Sequence, residues 1–334
     1  MVEGLPFLQD LDLSGNEEFL EDGFPVRIAV SCSQLQDLSV KAGYSDGTPP
    51  ELGRLTRLTH LMLKGSCANL PASISRLTDL RTVVLSDFFG DTELPEQLWH
   101  LESITELSFR IKVKGLSSSI SRLTALRELY IVNAPDFELP LGLTACRQLS
   151  HLRIGNVLSS PVLALLQSLR TLELKMLPSQ LPHSTYWTQL TGLTEMILNV
   201  HECHVSQYSG ISGMTSLRKL RIYGSSELPE GPYLGHLQKL CLYYRGYNAC
   251  IPPALQGAAR LQELCVLLPN NLNYNDVAAL VSSLPAALKQ LTITHDANRV
   301  TAGEWILRVS HLRAALIAEG RTPPVIKSNG SVVP

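Results

Sequence analysis

Charge is scarce in this chain: Asp, Glu, Lys and Arg make up 17% of its 334 residues. The two signs nearly cancel, 28 basic against 30 acidic, leaving a formal charge of −2. That balance excludes broad electrostatic attraction to nucleic acid or anionic lipid. Long apolar runs are missing too. No stretch of ~18 apolar residues exists, so no membrane insertion is expected. The first residues, MVEGLPFLQDLDL, lack a basic stretch and an apolar segment, so they do not read as a signal peptide. The 7 cysteines stand singly, at 32, 67, 146, 203, 241, 250 and 265, with no closely spaced framework. A reducing, cytoplasmic setting is therefore expected. Chemical motifs are absent as well. There is no GxxxxGK[ST], no HExxH and no GxSxG, and no isolated carboxylate pair in apolar surroundings. His201-Glu202-Cys203-His204 could attract zinc, but no second cluster completes a ligand set, so it reads as an ordinary loop. The expectation is a non-enzyme with no catalytic residue, cofactor or metal.

What is present is repetition. L-x-x-L-x-L, or a close variant, is anchored at Leu8, Leu35, Leu58, Leu80, Ile104, Leu126, Leu149, Leu169, Leu193, Leu217, Leu237, Leu261 and Leu288. Intervals run from 20 to 27 residues. Self-similarity at such a period signals stacked repeats sharing one continuous core. The last four residues of each motif alternate apolar and polar, which predicts a strand. Between strands the chain reads LPASISRLTDL, LPEQLWHLESI, LPLGLTACRQL and IPPALQGAARL. Apolar residues there recur every third position, which predicts short 3₁₀-like backs entered at proline. Strands stack ~4.8 Å apart, closer than helical backs of ~10 Å allow, so the sheet should line the inner side.

These motifs resemble the leucine-rich-repeat family. The L-P-x-x-h-x-x-L-x-x-L-x-x-L-x-L form is similar to the subclass of plant intracellular Ras-group-related proteins and plant immune receptors. The resemblance spans about residues 5–295. It implies an α/β repeat solenoid: a horseshoe with a parallel β-sheet on its concave face, short 3₁₀ or helical backs and a C-terminal capping helix. It departs at one position. The family's asparagine after the strand is matched only by Asn16; Gly43, Ser66, Phe88, Ser225 and others replace it elsewhere. Buried backbone groups at those turns need other partners.

The expected organisation is a repeat domain over 1–295, with about 13 repeats, followed by a capping helix over 296–320 and a disordered tail over 321–334. Thr301-Ala302-Gly303-Glu304 reads as a capping box. Trp305, Val309, Leu312 and Leu316 form one apolar stripe, and Gly320 with Pro323-Pro324 stops the helix. A longer back is expected before the last motif, with Asn275 or Asp276 as N-cap and Val277, Leu280, Val281 and Leu284 on one face. Leu5 and Leu8 already lie inside a repeat, so the N-terminal repeat has no cap. That predicts either upstream sequence or a cover for the exposed edge.

Repeat phase also assigns the outward strand positions. Asp10, Asp12 and Asp37 give an acidic N-terminal edge. Tyr130 and Arg153 face outward in the middle. Lys219, Arg221, Tyr223, Lys239, Tyr243 and Leu267 converge on three adjacent strands, with Cys241 and Cys265 in one column. Tyr and Arg are the types enriched at binding hot spots. Lys219, Arg221, Tyr223, Lys239, Tyr243 and Leu267, with Arg153 and Tyr130, are the candidate protein-binding residues, suited to a partner with an acidic patch. The expected function is a non-catalytic recognition scaffold in intracellular signalling or immunity, acting as a monomer or as part of a longer chain or complex. Substrate recognition for a ubiquitin ligase, and a structural role in a cytoskeletal or axonemal assembly, are the alternatives.

Overall fold

A 3₁₀ segment places residues i and i+3 above one another, because it has three residues per turn. The backs of this protein use that geometry. Leu52 N–H donates to Pro49 O at 3.1 Å, Leu55 N–H to Leu52 O at 3.0 Å, and Leu58 N–H to Leu55 O at 3.0 Å. All three leucines are buried. The same ladder recurs through Ile74, Leu77 and Leu80, and through Leu98, Leu101 and Ile104. Pro49, Pro71, Pro95 and Pro140 sit extended just before their 3₁₀ segments, with φ between −77° and −67°. Proline holds that φ unaided.

The computed structural model describes residues 5–15, 26–42, 48–65, 70–86, 93–111, 113–131, 138–155, 161–175, 184–200, 204–225, 227–243, 252–267, 284–294, 302–318, 320–328 and 331–332. Two compact units divide the chain, Met1–Leu169 and Arg170–Pro334. In the first, the strands are β1 (Asp10–Leu13), β2 (Asp37–Ala42), β3 (His60–Gly65), β4 (Thr82–Ser86), β5 (Glu106–Arg110), β6 (Glu128–Ile131) and β7 (His151–Gly155). They pair in chain order, all parallel. In the second, the strands are β8 (Thr171–Lys175), β9 (Glu195–Asn199), β10 (Lys219–Tyr223), β11 (Lys239–Tyr243), β12 (Glu263–Leu267), β13 (Gln290–Thr294), β14 (Val325–Ser328) and β15 (Ser331–Val332). There β9 through β14 each continue the parallel order, and only β15 runs antiparallel, against β14.

Register carries the core. Leu172, Met196, Leu220, Leu240, Leu264, Leu291 and Ile326 stand in one column across β8 to β14, every one buried. Leu38, Leu61, Val83, Leu107, Leu129 and Leu152 do the same in the first unit. Full burial of one such side chain stabilises by about 1.5–3 kcal/mol. The backs also pack closely. A Cβ on Gly142 would lie 2.2 Å from the Ser118 carbonyl oxygen, so only glycine fits there.

The turn after β10 shows what replaces the missing asparagine. Ser225 is buried; its Oγ accepts from Glu227 N–H at 3.2 Å and lies 2.8 Å from the buried Tyr208 hydroxyl. The corresponding turn positions of the other repeats lie outside the described residues, as do Asn275, Asp276, Val277, Leu280 and Val281.

The C-terminal segment departs from expectation. The helix, Ala302–Ala318, buries Val309, Leu312 and Leu316. It ends at Gly320, whose φ of +72° favours glycine. Gly320 N–H donates to Ile317 O at 2.9 Å and Arg321 N–H to Leu316 O at 3.0 Å, the bonding of a Schellman cap. The chain then re-enters the sheet as β14, in place of the disordered tail predicted over 321–334. Ile326 extends the leucine column, and Val325 N–H donates to Lys289 O at 2.8 Å. The helix thus lies between two paired strands, β13 and β14. This four-residue strand, with Ile326 buried and parallel pairing to β13, is one that periodicity alone does not reveal.

Candidate protein-binding face

Alternation along β10 buries Leu220 and Ile222 and turns Lys219, Arg221 and Tyr223 to the opposite face. On β11 it buries Leu240 and Leu242 and turns out Lys239, Cys241 and Tyr243. Parallel register then sets Lys219 beside Lys239, Arg221 beside Cys241 and Tyr223 beside Tyr243. The tyrosine rings stack, with centroids 4.7 Å apart and planes 10° from parallel. Such a pair contributes about 0.5–1.5 kcal/mol beyond its area. Both rings remain half-exposed, a flat aromatic surface held by two adjacent strands.

The cations are not bare. Glu195 on β9 takes Lys219 Nζ at 3.3 Å and Arg221 Nη2 at 3.5 Å. Glu263 on β12 takes Lys239 Nζ at 2.7 Å. The Lys239 ammonium is held above its ordinary range, chiefly by that hydrogen bond to Glu263. Burial, with the neighbouring thiols and Tyr223, pushes the Tyr243 hydroxyl up. Repeat phase puts Glu195 on this face too, as the first outward residue of LTEMIL. What it did not reveal is that one carboxylate spans two cations, which depends on side-chain rotamers rather than on spacing.

The cysteines differ from a simple outward reading. Cys241 and Cys265 share a column but are buried, because Lys239, Tyr243 and their neighbours overtop the short thiol side chains. Leu267 ends β12, and its side chain lies outside the described residues.

Tyr130 and Arg153 are register partners on β6 and β7, in the first unit. Tyr130 donates a hydrogen bond to Glu128 Oε2. Burial and that bond raise its hydroxyl above the ordinary tyrosine range. On β2 and β3, Asp37 Oδ1 lies 2.9 Å from His60 Nδ1.

His201, Glu202 and Cys203 lie outside the described residues, while His204 caps the Val205–Gly213 segment, its ring nitrogen accepting from Ser206 N–H at 3.3 Å. Among the described residues no group of three or more His, Cys, Asp or Glu is placed to hold a metal. Among them, too, no helix is long and apolar enough to cross a membrane.

No protein-family profile matches the chain, and no curated relative matches it. Solved structures do. A leucine-rich-repeat protein of Leptospira interrogans aligns over 94% of this chain and 83% of its own, at 20% identity and a TM-score of 0.56. The Arabidopsis receptor kinase HAESA, solved with the peptide hormone IDA and a co-receptor, aligns over 87% of this chain at 16% identity and a TM-score of 0.52; the match spans 56% of HAESA's length. An internalin of Listeria monocytogenes aligns over 83% of this chain and 86% of its own, at 15% identity and a TM-score of 0.51. The fold is the leucine-rich-repeat solenoid, with a parallel sheet, short 3₁₀ backs and a C-terminal helix.

Proposed function

We propose that this chain is a non-catalytic recognition scaffold whose protein partner docks on the outward sheet face of β9 to β12, with Tyr223 and Tyr243 as anchors. The stacked, half-exposed tyrosine pair carries this reading. Rigid aromatics offer contact area at modest entropic cost, and the strand register has already ordered these two. Lys219, Arg221 and Lys239 surround the pair against Glu195 and Glu263, three cations to two carboxylates. A partner bearing carboxylates is favoured by that surplus, and it must compete with Glu195 for Arg221.

The setting we infer is cytoplasmic, in signalling or immune recognition. Cys32, Cys146, Cys241 and Cys265 are all free thiols, which suits a reducing compartment. The plant receptor that shares this fold was solved with a peptide hormone, a precedent for protein recognition by the fold.

A partner isolated from host extract tests the assignment by calorimetry. Tyr223→Ala with Tyr243→Ala should weaken binding by about 2–4 kcal/mol and leave circular dichroism unchanged. Asp10→Lys with Asp37→Lys, in the first unit, is the matched control and should bind like wild type. Equal losses, or a loss only in the control, would sink the assignment.

A further inference from the structure

We propose that Cys241 and Cys265 form a dithiol that closes reversibly to a disulfide under mild peroxide oxidation. The argument begins with register. Cys241 on β11 and Cys265 on β12 are direct Cα partners in a parallel pair. Adjacent strands lie ~4.8 Å apart, inside the ~4.4–6.8 Å that a disulfide spans. Both side chains leave the same face, since each alternates with core residues: Leu240 and Leu242 on one strand, Leu264 and Val266 on the other. The two thiols are therefore held against each other by the sheet rather than by a mobile loop.

Their surroundings are polar. Arg221 stands beside Cys241 on β10, and Thr292 beside Cys265 on β13. Lys239 and Tyr243 flank Cys241 along β11, and Glu263 lies two residues before Cys265. Cys265 is the more open of the two, at 8% exposure against 2%. The Cys241 thiol donates to Cys265; that bond, aided by Thr292 and the Lys239 charge, holds the Cys265 thiol below its ordinary range despite burial. Removing the second proton from the pair is correspondingly resisted at Cys241. Cys32 and Cys146 are the contrast. Burial pushes both thiols up, Cys146 to about 11.

The chemistry balances with a hydroperoxide as oxidant. The Cys265 thiolate attacks one peroxide oxygen, the O–O bond breaks, hydroxide leaves and a sulfenic acid forms. The Cys241 sulfur then attacks the sulfenic sulfur. The S–O bond breaks, the S–S bond forms, and the Cys241 proton departs with the hydroxyl as water. The pair loses two electrons and the peroxide is reduced. A small thiol reductant reverses the reaction.

The test uses the full chain with Cys67, Cys203 and Cys250 replaced by serine in every arm. After brief exposure to hydrogen peroxide, non-reducing peptide mapping should find a cross-link joining Cys241 to Cys265, with Cys32 and Cys146 still reduced. Cys241→Ser should strand the reaction at a Cys265 sulfenic acid that dimedone labels. Cys265→Ser should react with peroxide at least roughly tenfold more slowly, having lost the readily ionised thiol. Cross-links to Cys32 or Cys146, equal rates in the two serine variants, or no cross-link at all would each overturn the proposal. No partner enters this assay, so its failure leaves the docking assignment standing, and failure of docking leaves the dithiol standing.

Discussion

Leu220→Ala probes the register on which every outward assignment depends. Leu220 is fully buried and lies in direct register with Met196 on β9 and Leu240 on β11, both fully buried. The substitution removes three carbons, which at ~0.8 kcal/mol per methylene is ~2.4 kcal/mol of lost transfer energy. A cavity term adds to this, because Met196 and Leu240 are held by sheet hydrogen bonds and cannot close inward. The expected total is about 3–4 kcal/mol, within the measured range for buried leucines. With a urea slope of ~2–3 kcal/mol/M, the midpoint should fall by about 1–2 M. A Trp99→Phe background confines tryptophan fluorescence to residues 187 and 305, both in the unit that holds Leu220. Repeats lean on their neighbours, so fluorescence and circular dichroism should cease to coincide if the unit melts before the rest. Leu220→Met keeps the volume and should cost less than about 1.5 kcal/mol. A Leu220→Ala midpoint equal to wild type would refute the register and, with it, the outward placement of Arg221 and Tyr223.

Gly142→Ala drives a Cβ to 2.2 Å from the Ser118 carbonyl oxygen; a loss of about 1–3 kcal/mol is expected in urea melts, and a neutral result would show that the backs are free to separate. Glu106→Gln should stabilise the protein at neutral pH, since burial first, and the Glu128 charge second, raise the Glu106 carboxyl. The sign follows: a raised carboxyl favours folding below its unfolded pKa of ~4.3, and that gain is lost as pH rises through the folded value. Melting temperatures from pH 4 to 7 should therefore fall more steeply in wild type than in Glu106→Gln. Truncation after Arg321 removes β14, strips the cover of Ile326 from the leucine column and bares the edge of β13; light scattering should show aggregation, and a monodisperse truncated protein would mean that β14 adds nothing to the core.

How much of this was legible depends on side-chain length. The columns were readable because a parallel sheet transmits register one residue at a time, so the placement of Leu217 in its motif already fixes Leu220 beside Leu240 and Tyr223 beside Tyr243. The backs were readable because three-residue spacing leaves a 3₁₀ turn as the geometry that buries every third side chain. Long polar side chains escape such logic. Glu195 gathers Lys219 and Arg221, an arrangement set by side-chain rotamers that spacing does not encode. Short side chains escape it in the other direction: Cys241 and Cys265 point outward yet end buried under longer neighbours. The β14 strand escapes the pattern because VIKS carries one buried apolar residue and no leading leucine, and it is ordered by pairing with β13 rather than by its own pattern.

That division bears on the face itself. A partner docking as proposed would meet the tyrosine pair in a position set by backbone register, and so with little ordering left to lose. It would meet Arg221 and Lys239 already engaged with Glu195 and Glu263, so each new ion pair on this face replaces an old one. Exchange of partners on an exposed face yields little net energy, as the ~0–1 kcal/mol typical of surface pairs indicates. Affinity should therefore reside in the aromatic pair, and the charges should govern which partner orientation is accepted. Raising salt should then slow association more than it weakens the final complex, whereas loss of the tyrosines should act mainly on dissociation.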